Sequence, residues 1–289
     1  MSTSSVIKLH QPIVLEHGTM LLALTGWMDG GSVSTGTVQH LMQGRRLMHV
    51  ADLNPAGFYI DNFPGSMEIS ALFRPHVKYS GGLIESFSLA DNKFLADPKG
   101  HLAFFLGKEP NLNWPLYADS IFEVSHRLKI EKIVFVGSFG GAVPHTREPR
   151  LFGSVSEKTM LPLLSEHGLR PTEYEGPASF ASYLLSRSPG QKIQMISIAC
   201  EIPGYLQGPN PNSITAVTRR VARLLNVPTD LAELRHAADT WEEQVTQAVD
   251  ADEDLVKTVK KLEDDYDKEL VDLMEEGSTK DAGSEDEKA

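Results

Sequence analysis

The residues able to do chemistry in this chain collect where apolar runs give way to glycine. In VFVGSFGGAVPHTREPR, residues 134–150, Gly140 and Gly141 precede His145, Thr146 and Arg147. Glycine lets backbone N–H groups come close to an anion, and an arginine can grip a carboxylate or phosphate through two parallel bonds. A histidine beside them could exchange a proton near neutral pH. Three other stretches carry comparable groups: Trp27, Asp29, Gly30 and Gly31 in GWMDGGS, Glu109 in GKEPNLNW, and Glu201 in EIPGYLQGPNP. One chemistry open to this set is an anion cradle of glycine amides and Arg147. His145 or Glu201 would handle a proton there, and Asp29 or Glu109 would orient it. Plainer roles stay open at the same positions. Asp29 could cap a helix, Glu109 could sit in a surface turn, and His145 could bond to backbone. Arg147 could pair with Glu148 or a tail carboxylate, and the paired glycines could supply positive φ for a turn. Trp27 suits a core or an interface as well as ligand stacking, and Cys200 reads as a small buried apolar residue.

Familiar catalytic signatures are absent. GWMDGGS lacks the lysine that a phosphate-binding loop needs, and GSFGGA is not a dinucleotide-binding GxGxxG. There is no HExxH, no calcium-binding loop and no GxSxG elbow. The ten histidines show no metal-ligand spacing, so no metal and no cofactor is expected. A single cysteine rules out an internal disulfide and fits a reducing cytoplasm.

The elements that must position these loops repeat a pattern of buried strand, turn and helix. TMLLALTG, HLAFFLG, KIVFVG and KIQMISIAC read as strands buried on both faces, as in a parallel sheet. Helical spacing follows over residues 32–48, 116–128, 156–168, 179–187 and 212–227, with Ser32 or Ser34 capping the first and Asn212 or Ser213 the last. Residues 54–98 are rich in Gly, Pro and aromatics. HVKYS and LIESFSL alternate weakly there and suggest an antiparallel extension. This is an α/β chain with a central mixed, largely parallel sheet. In such sheets the carboxyl-end loops share one rim, so the groups named above would converge on one crevice.

Past residue 228 the pattern changes. Asp230 and Glu233 have capping-box spacing, and Leu231, Leu234, Ala238, Trp241, Val245 and Ala248 form a narrow apolar seam. Asp252 interrupts it before Leu255, Val259, Leu262 and Tyr266 resume it. The expected organisation is an α/β domain over 1–228, an amphipathic helical extension over 229–276 and a disordered acidic tail over 277–289. The seam could lie on its own domain or on another subunit. From residue 230 onward, 21 acidic residues face 7 basic ones, so this segment carries −14 of a total of −12, and the rest is +2. An acidic chain of this kind is repelled by nucleic acid and by anionic membranes, and neither partner is expected.

Taken in order, GWMDGGS, GKEPNLNW, VGSFGGAVPHTREP and EIPGYLQGPNPNS resemble the proteasome assembly chaperone 2 family, in its free-standing bacterial branch. The resemblance spans roughly residues 21–234, and its more specific parts are PHTR at 144–147 and GKEP at 107–110. It implies a phosphorylase/hydrolase-like three-layer fold with a C-terminal helical extension. It also implies an oligomer, with a homotrimer as one form, acting as an interaction or assembly protein. The alternative is a small-molecule binder or enzyme, hydrolase-like or phosphorylase-like, holding an anionic ligand in the strand-end crevice.

Overall fold

The computed structural model describes residues 6–283, with side chains through Leu273. The strands are β1 (Ile7–Leu9), β2 (Gly18–Thr25), β3 (Met48–Leu53), β4 (His76–Ser80), β5 (Leu83–Ser88), β6 (Lys93–Asp97), β7 (Leu102–Lys108), β8 (Ile130–Gly141), β9 (Leu151–Val155), β10 (Arg170–Pro171) and β11 (Gln194–Pro203). The helices are α1 (Val33–Met42), α2 (Met67–Ala71), α3 (Trp114–Leu128), α4 (Leu161–Glu166), α5 (Phe180–Arg187), α6 (Pro211–Leu225), α7 (Ala232–Asp250) and α8 (Glu253–Gly283).

Nine strands make one sheet in the order β1-β3-β6-β7-β2-β8-β11-β9-β10. The four apolar runs form its contiguous parallel centre, β7-β2-β8-β11. Antiparallel β6 and β9 flank that centre, so the sheet is mixed. Alternation along each central strand splits the core in two. Met20, Leu22 and Leu24 of β2 pack with α3 and α5 on one face. Leu21 and Ala23 pack with α1, α4 and α6 on the other. The result is the three-layer arrangement that buried strands and alternating helices require. Both sheet edges are short: β1 has three residues and β10 two. Short edges offer little backbone for stray pairing.

Several boundaries differ from the sequence reading. The helix expected through residue 48 stops at Met42, because Gly44 takes φ of 70° and the chain turns into β3. Residues 156–168 form a 3₁₀ turn and the short α4, with Pro162 in its first turn. Asn210, rather than Asn212 or Ser213, caps α6 by accepting the Ser213 N–H at 2.9 Å. Ser32 stands before α1 without a side-chain cap bond. The strands β1, β3, β9 and β10 are too short for a period to announce them.

The C-terminal extension is two helices. Asp230 accepts the Ala232 N–H ahead of α7, and Asp252 starts α8 by accepting the N–H groups of Asp254 and Leu255. The seam is buried at Ala238, Val249, Val259 and Tyr266. Val249 takes the inward place that the spacing assigns to Ala248, which is exposed. Residues 277–283, expected to be disordered, continue α8, and 284–289 lie outside the described residues.

β3 and β6 are antiparallel neighbours, so residues 54–92 amount to one long, decorated hairpin connection. Its outer part carries α2 and the separate β4–β5 ribbon. No residue from 61 to 89 is buried.

Candidate functional site at the strand ends

The parallel register brings the four loops to one rim of the sheet. Glu109 follows β7, and its N–H donates to the Thr25 carbonyl at the end of β2. Asp29 bridges to Ser138 of β8, and Glu201 of β11 stands in register with Phe139. The carboxylates and His145 therefore lie along one edge, in the strand order β7-β2-β8-β11.

Each group on that rim already has a protein partner. Asp29 Oδ1 accepts the Thr35 N–H at 3.1 Å and Oδ2 accepts the Thr35 hydroxyl at 2.9 Å, so Asp29 caps the first turn of α1. Burial pushes its carboxyl pKa up against those bonds. Glu109 spans two loops: Oε2 accepts the Trp27 N–H at 3.1 Å and Oε1 accepts the Phe180 N–H at 2.9 Å at the start of α5. The Trp27 ring is exposed. Gly31 needs its φ of 64°, and Gly30 lies under Ile202, where a Cβ would come within 2.9 Å of its Cδ1.

Gly140 and Gly141 are not a turn. They end β8, and neither has positive φ. Gly141 is glycine because a Cβ there would collide with the Glu201 carboxylate. That carboxylate is buried, accepts the Ala142 N–H at 2.7 Å and pairs with Arg150 at 3.1 Å. The loop thus cradles an anion with a backbone amide and an arginine, and the anion belongs to the chain itself.

The PHTR segment repeats this arrangement toward the C-terminal helices. His145 is buried, with Nδ1 2.7 Å from the Tyr205 hydroxyl and Nε2 3.1 Å from the Thr246 hydroxyl on α7. Burial pushes its imidazole pKa down, against the pull of Glu263 and Asp250. The Thr146 hydroxyl donates to Glu263 on α8. Arg147 grips Asp267 in bidentate fashion at 2.8 and 2.7 Å. Its pKa is raised, first by that hydrogen bond. Arg150 reaches Glu269 at 2.5 Å and lies 4.5 Å from the Tyr266 ring centroid, while Arg170 pairs with the other Glu269 oxygen. The Tyr266 hydroxyl donates to the Glu148 carbonyl at 2.9 Å. Glu148 itself pairs with Arg219, so the short-range alternative for Arg147 is not used.

The recess left beside His145, lined also by Pro203, Asn210 and Trp241, holds about 10 Å³. That is about the space one water needs and far below a metabolite pocket. The His145–Arg150 part of the rim is covered by α7 and α8. Sequence reasoning missed Arg150 and Arg170 as partners of the extension. The available signal was charge: a body of +2 beside a segment of −14. Cys200 lies fully buried under the rim, where desolvation pushes its thiol up to about 12.

Fold and rim together define a class: a three-layer α/β protein whose loop after β8 is capped by its own acidic C-terminal helices. The chain belongs to the PAC2 family, whose model matches residues 23–249. Solved structures agree in fold. A Mycobacterium tuberculosis protein of unknown function is similar at 20% identity and a TM-score of 0.78, over 92% of each chain. A proteasome-assembly chaperone homologue from the same organism has 25% identity and a TM-score of 0.72, over 83% of this chain and 99% of its own. A Pyrococcus furiosus archaeal proteasome activator has 17% identity and a TM-score of 0.62, over 84% and 97%. No curated protein sequence matches the chain. No helix among the described residues is long and apolar enough to cross a membrane.

Proposed function

We infer that the protein is a chaperone-like interaction factor of the cytoplasm that works as a homo-oligomer, with a trimer as one form. The observation that carries this reading is the projection formed by residues 63–89. Met67 is 82% exposed, Leu72 80% and Leu83 76%, and Tyr79, Ile84 and Phe87 are exposed beside them. On the ribbon, Val77 pairs with Phe87 and Tyr79 with Ile84, and exposed apolar side chains gathered in this way mark a contact site. The β4–β5 ribbon also has two unpaired edges, a form that proteins normally cover.

The occupant we assign is a second copy of this chain. The whole chain carries −12, which opposes self-association. The projection does not share that charge: Glu68 and Glu85 are balanced by Arg74 and Lys78, so it is neutral and can meet itself. Relatives described as a proteasome-assembly chaperone homologue and a proteasome activator support an assembly role over catalysis. The cover that α7 and α8 place over the loop after β8 supports it further.

The test is sedimentation velocity on the full chain and on the double variant Leu83→Glu/Phe87→Glu. The native chain should sediment as an oligomer and the variant as a monomer with unchanged thermal unfolding. A native monomer at high protein concentration, or a variant that keeps the oligomer, would overturn the reading.

A further inference from the structure

A second cluster of chemically capable side chains lies away from the rim, at the β1–β3 edge of the sheet. His10, just past β1, has Nε2 at 2.7 Å from Asp52 Oδ2. His49 of β3 has Nε2 at 2.6 Å from Oδ1 of the same carboxylate. The two imidazole centroids are 4.3 Å apart, and the three donor groups all lie within 4.8 Å of one another.

Backbone geometry builds this set. In a regular strand, residues three apart point to opposite faces. His49 and Asp52 share a face because the register of β3 against β6 slips between His49 and Ala51. A bulge re-aims side chains in this way, and bulges are over-represented beside functional sites. The carbonyl of the bulged Val50 also accepts the N–H groups of His10 at 2.8 Å and Gln11 at 3.4 Å, which fastens the third side chain over the same spot. Linear spacing hides the group, since its members come from separate segments and the HxxD step looks wrong for a strand.

We propose that His10, His49 and Asp52 form a binding site for a divalent transition ion, with zinc the best match. Two imidazoles and one carboxylate suit zinc and its neighbours, whereas magnesium and calcium prefer all-oxygen sets. Donors around a tetrahedral zinc with bonds of about 2.0–2.2 Å sit about 3.3 Å apart. Each imidazole therefore withdraws from the carboxylate by roughly 0.6 Å to admit the ion. All three side chains are partly exposed and free to do so. The metal takes the Nε2 lone pair of each ring, and a proton on that nitrogen moves to Nδ1 or to solvent. Three protein ligands leave a fourth position for water or an added ligand. Two lysines, Lys8 and Lys93, stand across from Asp52 in register. The Lys93 ammonium is neutralised by Asp91 at 2.5 Å, and Lys8 is exposed.

The experiment is calorimetric titration of zinc into the chelator-treated full-length protein, with cobalt absorption as a second readout. One zinc per chain should bind, and cobalt should give the intense visible bands of tetrahedral coordination. His49→Gln and Asp52→Asn should each weaken zinc binding by more than about tenfold. His10→Gln, outside the bulged strand, gives the same test with no demand on the fold of β3, and circular dichroism without metal checks all three. His101→Gln and His126→Gln should bind as the native chain does. Absence of zinc binding overturns the proposal, as does binding that survives all three ligand substitutions or is lost in the two control variants.

Discussion

Arg150 and Glu201 show what a buried residue pair does here. Both side chains are about a tenth exposed, and they meet at 3.1 Å behind the glycine end of β8. Two charges taken from water need each other far more than they improve on an apolar pair. Arg150→Met should therefore destabilise by about 3–5 kcal/mol, read as a lower urea midpoint, because Glu201 is left charged and unpaired. The double variant with Glu201→Gln should recover part of the loss. Asp29 behaves as a cap, so Asp29→Ala should cost about 1 kcal/mol. Asp29→Asn should cost less, since it keeps an acceptor for the Thr35 N–H. Its raised folded pKa means that ionised Asp29 weakens the fold as pH rises above 3.8, and the amide removes that effect. Thermal unfolding at two pH values separates the variants. These roles were half legible beforehand. A carboxylate before two glycines says "cap or ligand", and only the position of Thr35 decides between them.

The helical extension is held by charge as well as by its seam. Arg147 on Asp267, and Arg150 with Arg170 on Glu269, join α8 to the rim. The Asp267 carboxyl is lowered, first by its hydrogen bond from Arg147. Glu269 is also lowered: burial raises it, but the bonds and charges of Arg170 and Arg150 outweigh that. A depressed acid stabilises the docked helix fully above its ordinary pKa, and the contribution fades as pH falls through the lower folded value. Docking should hold at neutral pH and loosen once pH drops below the ordinary values of 3.8 and 4.5. His145 acts at higher pH. Its imidazole is depressed, so the neutral ring under α7 favours the fold above its ordinary 6.5, and that support declines as pH falls below it. Hydrogen exchange across 232–250 should therefore quicken at milder acidity than across 253–273. Equal protection of both helices down to strong acid would contradict this order. The seam itself was readable from its three-and-four spacing; the surface that it covers was not, because an apolar stripe fits its own domain and a partner equally well.

At the scale of the molecule, the core and the exposed projection are separable. Neither hydrophobic core includes a residue between 63 and 89. The ends of the connection are close, with the Leu53 N–H donating to the Asn92 carbonyl at 2.9 Å. Replacing 63–89 by a short polar linker should leave the midpoint of core unfolding nearly unchanged and abolish the oligomer. Calorimetry and light scattering on the same sample read both quantities. A large fall in the unfolding temperature would mean that the projection belongs to the core after all.

The amino-acid sequence alone determined the parallel centre of the sheet, most helices, the acidic extension and the family. Each is written in local periodicity or in short motifs that a linear reading can see. Tertiary structure decided what fills the rim, because the anion gripped by PHTR comes from residues more than a hundred positions away. It also decided that His10, His49 and Asp52 meet, since one bulged residue turns a side chain to the opposite face, and no spacing rule carries that information.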